Sequence, residues 1–492
     1  MQLDKDLQSI QEVRRLLEAA KGAQRALARM DQGQIDAIVS AVSAAAARHA
    51  AELGRMAVEE TGFGKAEDKE LKNRFAACTL YEAIKNERTV GILAEDKAKR
   101  TIDMGVSVGI VAALVPSTNP TSTVIYKAMI CLKAGSPVIF SPHPSALKCI
   151  RAAVEVVRAA AESAGAPPGS VSCISIPTLE ATRELMGHPL TRLILATGGP
   201  GMVKAAYSSG TPAIGVGAGN GPAYIHKSAD VALAVKHILD SKTFDNGTVC
   251  ASEQSIVVTE EMESAVTAEL KRQGAYLLSE AESRTLARFI LRPGGTMNPA
   301  IVGKSVETLC KLAGLSGIPA STRVLVAREN GVGRDHPYSS EKLGLILAYY
   351  VERDEQAVLS RCVEILEWEG AGHTFAIHAE DEEVVRRFAA AVPASRVLVN
   401  TPASLGGIGA STCLFPALTL GCGAVGGSSS SNNIGPLDLI NIKRVAWGVR
   451  EIEELRGAPG HAVGKAPGLD SLRSDPAVLD ELVHQIMRRL KV

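Results

Sequence analysis

A doubly wound α/β fold in two domains is what this chain predicts, and three observations carry it. Short runs of Val, Ile, Leu and Ala alternate with helix-length segments along most of the sequence. Those runs are apolar on both faces, as strands of a parallel sheet covered by helices on each side are. The alternation begins again near residue 243, and 492 residues exceed what one hydrophobic core normally organises.

The elements follow in order. Leu3, Leu7, Ile10, Val13 and Leu17 recur at helical spacing, so the chain opens on an amphipathic helix. Ala- and Arg-rich helical patterns continue to about Glu87. Residues 106–115 read as one buried strand stopped by Pro116, 123–133 as helix and 137–140 as a second strand. Helix over 146–164, strand over 171–176, helix over 179–186 and strand over 193–197 come next. In the second half, strands are expected at 254–258, 324–327, 344–350 and 396–400.

Composition removes several function classes. Lys plus Arg equals Asp plus Glu at 53 each, which builds no field for nucleic acid or anionic membranes. Nine cysteines without a CxxC pair argue for a reducing compartment, against a disulfide framework and against a metal site. Met1-Gln2-Leu3-Asp4-Lys5-Asp6 lacks the apolar core of a secretory signal, and the apolar runs are too short to span a bilayer. A soluble cytoplasmic protein is expected. Near the end, residues 457–468 have linker composition, Asp475-Pro476 reads as a helix start, and Leu479, Leu482, Val483, Ile486 and Leu490 line one helical face. A short tethered helix is unstable alone and needs a surface, either its own subunit or another protein.

The chemistry-bearing residues concentrate in a few segments. Phe244-Asp245-Asn246-Gly247-Thr248-Val249-Cys250-Ala251-Ser252-Glu253-Gln254 holds a thiol at the end of a polar turn, beside exposed backbone amides, where covalent catalysis becomes possible. A buried cysteine acting as a small hydrophobe is the competing reading. Thr197-Gly198-Gly199-Pro200-Gly201 follows a strand and precedes a helix, so backbone amides can face an anionic or polar cofactor, although the dinucleotide fingerprint is absent. The glycines in residues 215–222 imply close approach of the backbone to something. A third such stretch, Gly421 through Gly427 into Ser428-Ser429-Ser430-Ser431-Asn432-Asn433, passes as flexible loop. Asn119, in Val115-Pro116-Ser117-Thr118-Asn119-Pro120, can offer its NH2 to a developing oxyanion or merely form a turn.

Taken in order, Pro116-Ser117-Thr118-Asn119-Pro120, Ser141-Pro142-His143-Pro144, Ala196-Thr197-Gly198-Gly199, residues 215–222, residues 244–250 and Glu341-Lys342-Leu343-Gly344 resemble the aldehyde dehydrogenase superfamily, over nearly everything from residue 3 to about 450. The cysteine segment and Gly-Gly-Ser-Ser…Asn-Asn-Ile-Gly-Pro resemble its CoA-acylating branch, the acetaldehyde and propionaldehyde dehydrogenases. The resemblance implies a Rossmann-type cofactor domain over 1–240, which includes part of a β oligomerisation arm. A catalytic domain follows over 241–425, and 426–456 return to the cofactor domain and arm. A linker over 457–473 and an amphipathic helix over 474–492 complete the chain.

The resemblance also implies roles. Cys250 matches the nucleophile, Asn119 the oxyanion amide, and His373 a proton-shuttling position that a structural histidine would fill equally well. Glu341 matches the carboxylate on the nicotinamide ribose, Gly198 and Gly199 the loop at the cofactor phosphates, and His143 the adenosine ribose position. Pro116, Ser117, Thr118, Thr197, Val203, Val216, Gly217 and Leu343 fall among the cofactor-contacting positions. Hydrolytic members carry a Glu where this chain has Val216, and valine cannot serve as a base. An acyl group on Cys250 would therefore await the CoA thiol. The expected co-substrates are a short aldehyde, propionaldehyde before acetaldehyde, and coenzyme A. NAD is the expected cofactor, with NADP left open because residues 141–145 carry no acid. A homo-oligomer, dimer or tetramer, is expected, and the tail resembles the encapsulation peptides of bacterial microcompartment enzymes. The competitors are an acyl-phosphate reductase of the glutamyl phosphate reductase type and a non-catalytic protein acting through its C-terminal helix.

Overall fold

The computed structural model describes residues 4–292, 296–452 and 456. The tail from 457, with its expected linker and helix, lies outside them. The chain forms two compact units: residues up to Leu93 with Met104–Lys443, and a small unit of Ala94–Asp103 with the described residues from Arg444 onward. Both parallel sheets lie in the larger unit.

The first helix runs Lys5–Leu27 and buries Ser9, Val13, Leu17, Ala20, Ala23 and Leu27. Leu7 stays exposed. Three further helices, Gln32–Arg48, Ala50–Thr61 and Ala66–Arg74, precede the first strands. The helix Ala66–Arg74 continues through a π-helical turn, Phe75–Thr79, into Leu80–Ile84. Such turns are rare inside helices and recur beside functional sites.

Strands β1 (Gly91–Asp96) and β2 (Thr101–Ser107) belong to a three-stranded sheet completed from the far end of the chain. The single strand expected over 106–115 is two elements, because Gly109 at φ 113° breaks the run between β2 and β3 (Ile110–Val115). Arg192 packs where a Cβ on Gly109 would go, so a side chain is doubly excluded there.

Strand β3 is the centre of a five-stranded parallel sheet with β4 (Val138–Pro142), β5 (Val171–Cys173), β6 (Thr191–Ala196) and β7 (Ala213–Gly215), ordered β5-β4-β3-β6-β7. The order reverses between β3 and β6, and in open α/β sheets ligands bind at that switch point, beyond the carboxyl ends of the strands. The helix Pro120–Lys133 is buried along its whole length against this core. Its Lys127 donates to the carbonyls of Leu114 and Leu195, at 2.7 and 2.8 Å, which ties the ends of β3 and β6 together.

The seven-stranded parallel sheet takes β8 (Gly221–Ile225), β9 (Glu253–Thr259), β10 (Ala275–Leu277), β11 (Val324–Arg328), β12 (Ile346–Glu352), β13 (Gly372–His378) and β14 (Ala394–Val399), ordered β10-β11-β12-β9-β8-β13-β14. Its strands therefore begin at Gly221, before the position where a second domain is expected. Strand β15 (Ile440–Ala446) closes the three-stranded sheet and keeps Ile442 and Val445 exposed.

Residues 421–433 are ordered rather than flexible. Gly421 and Gly423 donate to the carbonyls of Asn432 and Ser430, and Arg396 binds the carbonyls of Gly421 and Ser431. Ser428 and Ser429 donate to the carbonyls of Gly215 and Ala213, which fastens this segment to β7. Among the described residues, no helix is long and apolar enough to cross a membrane, and no group of three or more His, Cys, Asp or Glu side chains could hold a metal ion.

Candidate active site

Three loops meet at the switch point of the first sheet. Pro116 follows β3, His143 follows β4, and Thr197, Gly198 and Gly199 follow β6. Together with Leu114, Pro177 and Met202 they line a cavity of about 370 Å³. Thr197 Oγ1 is buried there without a hydrogen-bond partner, an unmet need that a bound polar group would satisfy. Gly199 is the N-cap of the helix Pro200–Tyr207, and a Cβ added to it would meet no atom within 4 Å. A phosphate-bearing cofactor fits these residues: an open helix N-terminus, a glycine backbone it can approach, and an unpaired hydroxyl. His143 is exposed, with Nδ1 held by the backbone N–H and hydroxyl of Ser145 at 3.2 and 2.8 Å. Val203 packs against Gly215.

Cys250 lies in the turn between the 3-10 segment Phe244–Gly247 and β9. Asp245 and Asn246 both adopt left-handed backbone conformations, at φ 47° and 52°, which Asp and Asn tolerate better than other side chains. The glycine-rich stretch 215–222 approaches this turn. A Cβ on Gly219 would fall 1.8 Å from the carbonyl oxygen of Cys250, and one on Gly221 would fall 2.8 Å from that of Thr374. The Gly219 N–H donates to Glu341 Oε1 at 2.8 Å, which brings Glu341 to the same place. Val216 is buried, and Cys422 Sγ is the nearest neighbour a side chain on Gly217 would meet. Leu343 contributes a carbonyl to the Gly303 N–H.

Burial pushes the Cys250 thiol up to about 12, the charges of Glu341 and Cys422 push the same way, and Arg396 opposes them. Burial, reinforced by Glu369, raises Glu341 to about 8. His373 is fully buried, with Nδ1 against Thr374 Oγ1 at 2.9 Å and Nε2 unpartnered. Burial and then Arg396 lower it to about 3, so it stands as a neutral imidazole at physiological pH.

Asn119 caps the helix Pro120–Lys133, and its Nδ2 donates to the Thr248 carbonyl at 3.2 Å, two residues before Cys250. Ser117 and Thr118 lead into it, and Thr118 Oγ1 accepts from the same amide at 3.3 Å. On the opposite side Lys72 donates to Asn119 Oδ1 and to Asp245. Neither Lys72 nor Arg396 stands out in the sequence. The one signal for the first is Lys69-Glu70-Leu71-Lys72-Asn73, where two lysines one helical turn apart flank apolar and polar positions and are both buried. Beside them a second cavity of about 450 Å³ is lined by Leu71, Lys72, Phe75, Phe244, Leu405 and Ile408, among others.

A doubly wound crevice of the kind that takes dinucleotides, set beside a cysteine-bearing turn, describes the class of site. Residues 6–284 match the model of the aldehyde dehydrogenase family. The chain is 44% identical over 443 residues to the bifunctional aldehyde-alcohol dehydrogenase AdhE of Escherichia coli K12, covering 89% of this chain and 50% of that one, so it spans about half the length of that relative. Among solved structures, an acetylating aldehyde dehydrogenase from Geobacillus thermoglucosidasius superposes with a TM-score of 0.90 at 52% identity, covering 92% of this chain and 99% of that one. A propionaldehyde dehydrogenase from the fucose utilisation bacterial microcompartment of Clostridium phytofermentans superposes with a TM-score of 0.80 at 29% identity, covering 88% and 97%. The chain belongs to the aldehyde dehydrogenase family.

Proposed function

We propose that this protein is a CoA-acylating aldehyde dehydrogenase, converting a short aldehyde, coenzyme A and an oxidised nicotinamide cofactor into acyl-CoA and reduced cofactor. The observation that carries the reading is Val216, a buried valine where hydrolytic members of the family hold the base that activates water. When bound, the cofactor supplies the hydride acceptor. The residues of the chain do the rest. Cys250 Sγ adds to the aldehyde carbon, with its proton passing to solvent or a neighbouring base. Asn119 Nδ2 and the Cys250 backbone N–H hold the resulting alkoxide. Once hydride has left, the acyl group sits on Cys250 as a thioester. The thiolate of coenzyme A displaces Cys250 and restores its sulfur. The residues around Thr197, Gly198 and Glu341 orient the cofactor in this scheme, with the catalytic domain starting near Gly221, where its sheet begins, rather than at 241. NAD is the preferred cofactor in this reading.

The second cavity suits an apolar chain, since Leu71, Phe75, Phe244, Leu405 and Ile408 supply most of its lining and Lys72 is engaged by Asp245. One further buried methylene contributes ~0.8 kcal/mol, or about fourfold. Propionaldehyde should therefore exceed acetaldehyde in kcat/KM by about that factor. The decisive assay supplies aldehyde and oxidised cofactor with and without coenzyme A. Reduced cofactor should accumulate only to one equivalent per site without it, and acyl-CoA should form continuously with it. Steady release of free carboxylic acid in its absence would overturn the reading, and a requirement for phosphate in place of coenzyme A would favour the acyl-phosphate competitor.

The exposed apolar residues of β15 support assembly into a homo-oligomer. The sequence of residues 474–492, together with the likeness to a microcompartment enzyme, supports packaging inside such a shell. Removing the chain from Ser474 onward should leave turnover intact and abolish co-purification with shells in a host that makes them. Unchanged packaging would refute the tag.

A further inference from the structure

The chain builds a buried charge cluster behind the Asn119 amide. Asp245 sits at its centre, fully buried, and receives hydrogen bonds from the ammonium groups of both Lys69, at 2.9 Å, and Lys72. The Lys65 N–H donates to its other oxygen at 2.8 Å, and Thr248 Oγ1 donates at 2.6 Å. Asp68 receives the Asp245 N–H at 2.8 Å, which fixes the backbone of the left-handed turn itself. A side chain on Gly64 would strike the Asp245 carboxylate, so no other residue type fits opposite it. Lys69 also donates to the Thr118 carbonyl at 2.9 Å.

Resting on the reading of Asn119 as the oxyanion donor, we infer that Lys72, locked by Asp245, is the positioning residue that aims the Asn119 NH2 at the alkoxide formed on Cys250. A carboxamide has two orientations of similar shape, and only one offers N–H groups to the substrate. Lys72 settles the choice. Its ammonium can only donate, so it accepts the oxygen of Asn119 as a neighbour and repels the NH2. The Nδ2 atom is thereby turned towards the Thr248 carbonyl, at 3.2 Å, and Thr118 Oγ1, at 3.3 Å, two long bonds of which one gives way to the alkoxide. Both ammonium groups hold the one buried Asp245 carboxylate, so Lys72 is fixed in place behind the amide. The same network joins the helix Ala66–Arg74, the nucleophile turn and the Pro116–Asn119 loop, so oxyanion donor and sulfur are held in one frame. Lys72 also lines the apolar cavity proposed above for the aldehyde's chain.

The test is a set of full-length variants assayed with propionaldehyde, oxidised cofactor and coenzyme A. Asn119→Ala should lower kcat about 100- to 1,000-fold, the usual loss for an oxyanion donor. Lys72→Met should lower kcat by about 30-fold or more, as misaimed groups do. KM for aldehyde and cofactor should stay within about threefold, and the rate of Cys250 alkylation by iodoacetamide within about twofold. Adding Lys72→Met to Asn119→Ala should cost no more than about threefold further, because nothing remains to be aimed. Asp245 stays paired with Lys69 when Lys72 is replaced, and Lys72→Gln, which can still hydrogen-bond Asp245 but offers Asn119 either end of an amide, should show a comparable kcat loss at near-parental Tm if Lys72→Met folds poorly. Parental kcat in either Lys72 variant, with Asn119→Ala impaired, overturns the inference and spares the reading of Asn119. Additive losses, or alkylation that slows along with kcat, overturn it in favour of plain structural support. Full kcat in Asn119→Ala removes the reading of the site and the inference with it.

Discussion

Cys250→Ala should abolish acyl-CoA formation, with turnover falling at least about 10⁴-fold while the cofactor still binds. In the proposed mechanism the sulfur is the atom that holds the acyl group between two half-reactions. Cys422 is the nearest other thiol with an electrostatic claim on the site, but it is itself buried and pushed upward by that burial. The wild-type thiol brings a second expectation. With burial and Glu341 holding it up to about 12, the thiolate fraction at neutral pH is small and grows with each added pH unit. Alkylation of Cys250 by iodoacetamide should therefore accelerate about tenfold per unit between pH 7 and pH 10, without levelling. A plateau near pH 8 would show that Arg396 outweighs burial and Glu341. Residual acyl-CoA synthesis by Cys250→Ala at a tenth of the normal rate would end the covalent mechanism.

Val216→Glu should convert the enzyme towards hydrolysis. A carboxylate at this position would supply the base that the glycine-rich stretch lacks, and general-base assistance is typically worth about 10²–10⁴-fold. Free acid should then appear without coenzyme A at a rate raised by at least about 100-fold. Because Val216 is only 6% exposed, the new carboxyl group would be desolvated and protonated at neutral pH, so acid release should rise as pH increases. Acid production that stays at the parental level across pH 6 to 10 would mean that position 216 does not determine the fate of the thioester.

Much of this architecture is legible in the sequence because buried parallel strands announce themselves. The runs that became β4, β6, β11, β12 and β14 are dense in Val, Ile and Leu and are bounded by turn residues. Strands β8 and β13 escape notice since they open on Gly221 and on Gly372-His373-Thr374, where the pairing comes from neighbours rather than from intrinsic preference. The break at Gly109 depends on a backbone angle, which letters do not specify. In the opening helix the apolar stripe points correctly from Val13 onward, but Ser9 is buried and Leu7 is exposed, since Ser9 finds partners in Asp6 and Thr178. The same limit governs the site. Cys250, Asn119 and Glu341 stand in recognisable local segments. Lys72 meets Asp245 across 173 residues of chain, and Arg396 meets Ser431 across 35, so each looks like an ordinary surface charge until the chain folds.

The carbonyl of Cys250 leaves no room for anything larger than hydrogen at Gly219. Backbone sliding is thus closed off on that side, and the turn beneath the sulfur behaves as a fixed pivot. In the proposed mechanism, an acyl chain that must face first a hydride acceptor and later an arriving thiol would change its heading by rotation about the side-chain bonds of the cysteine, Cα–Cβ and Cβ–Sγ. That reorientation would then be a side-chain event, on the picosecond-to-nanosecond scale where space allows.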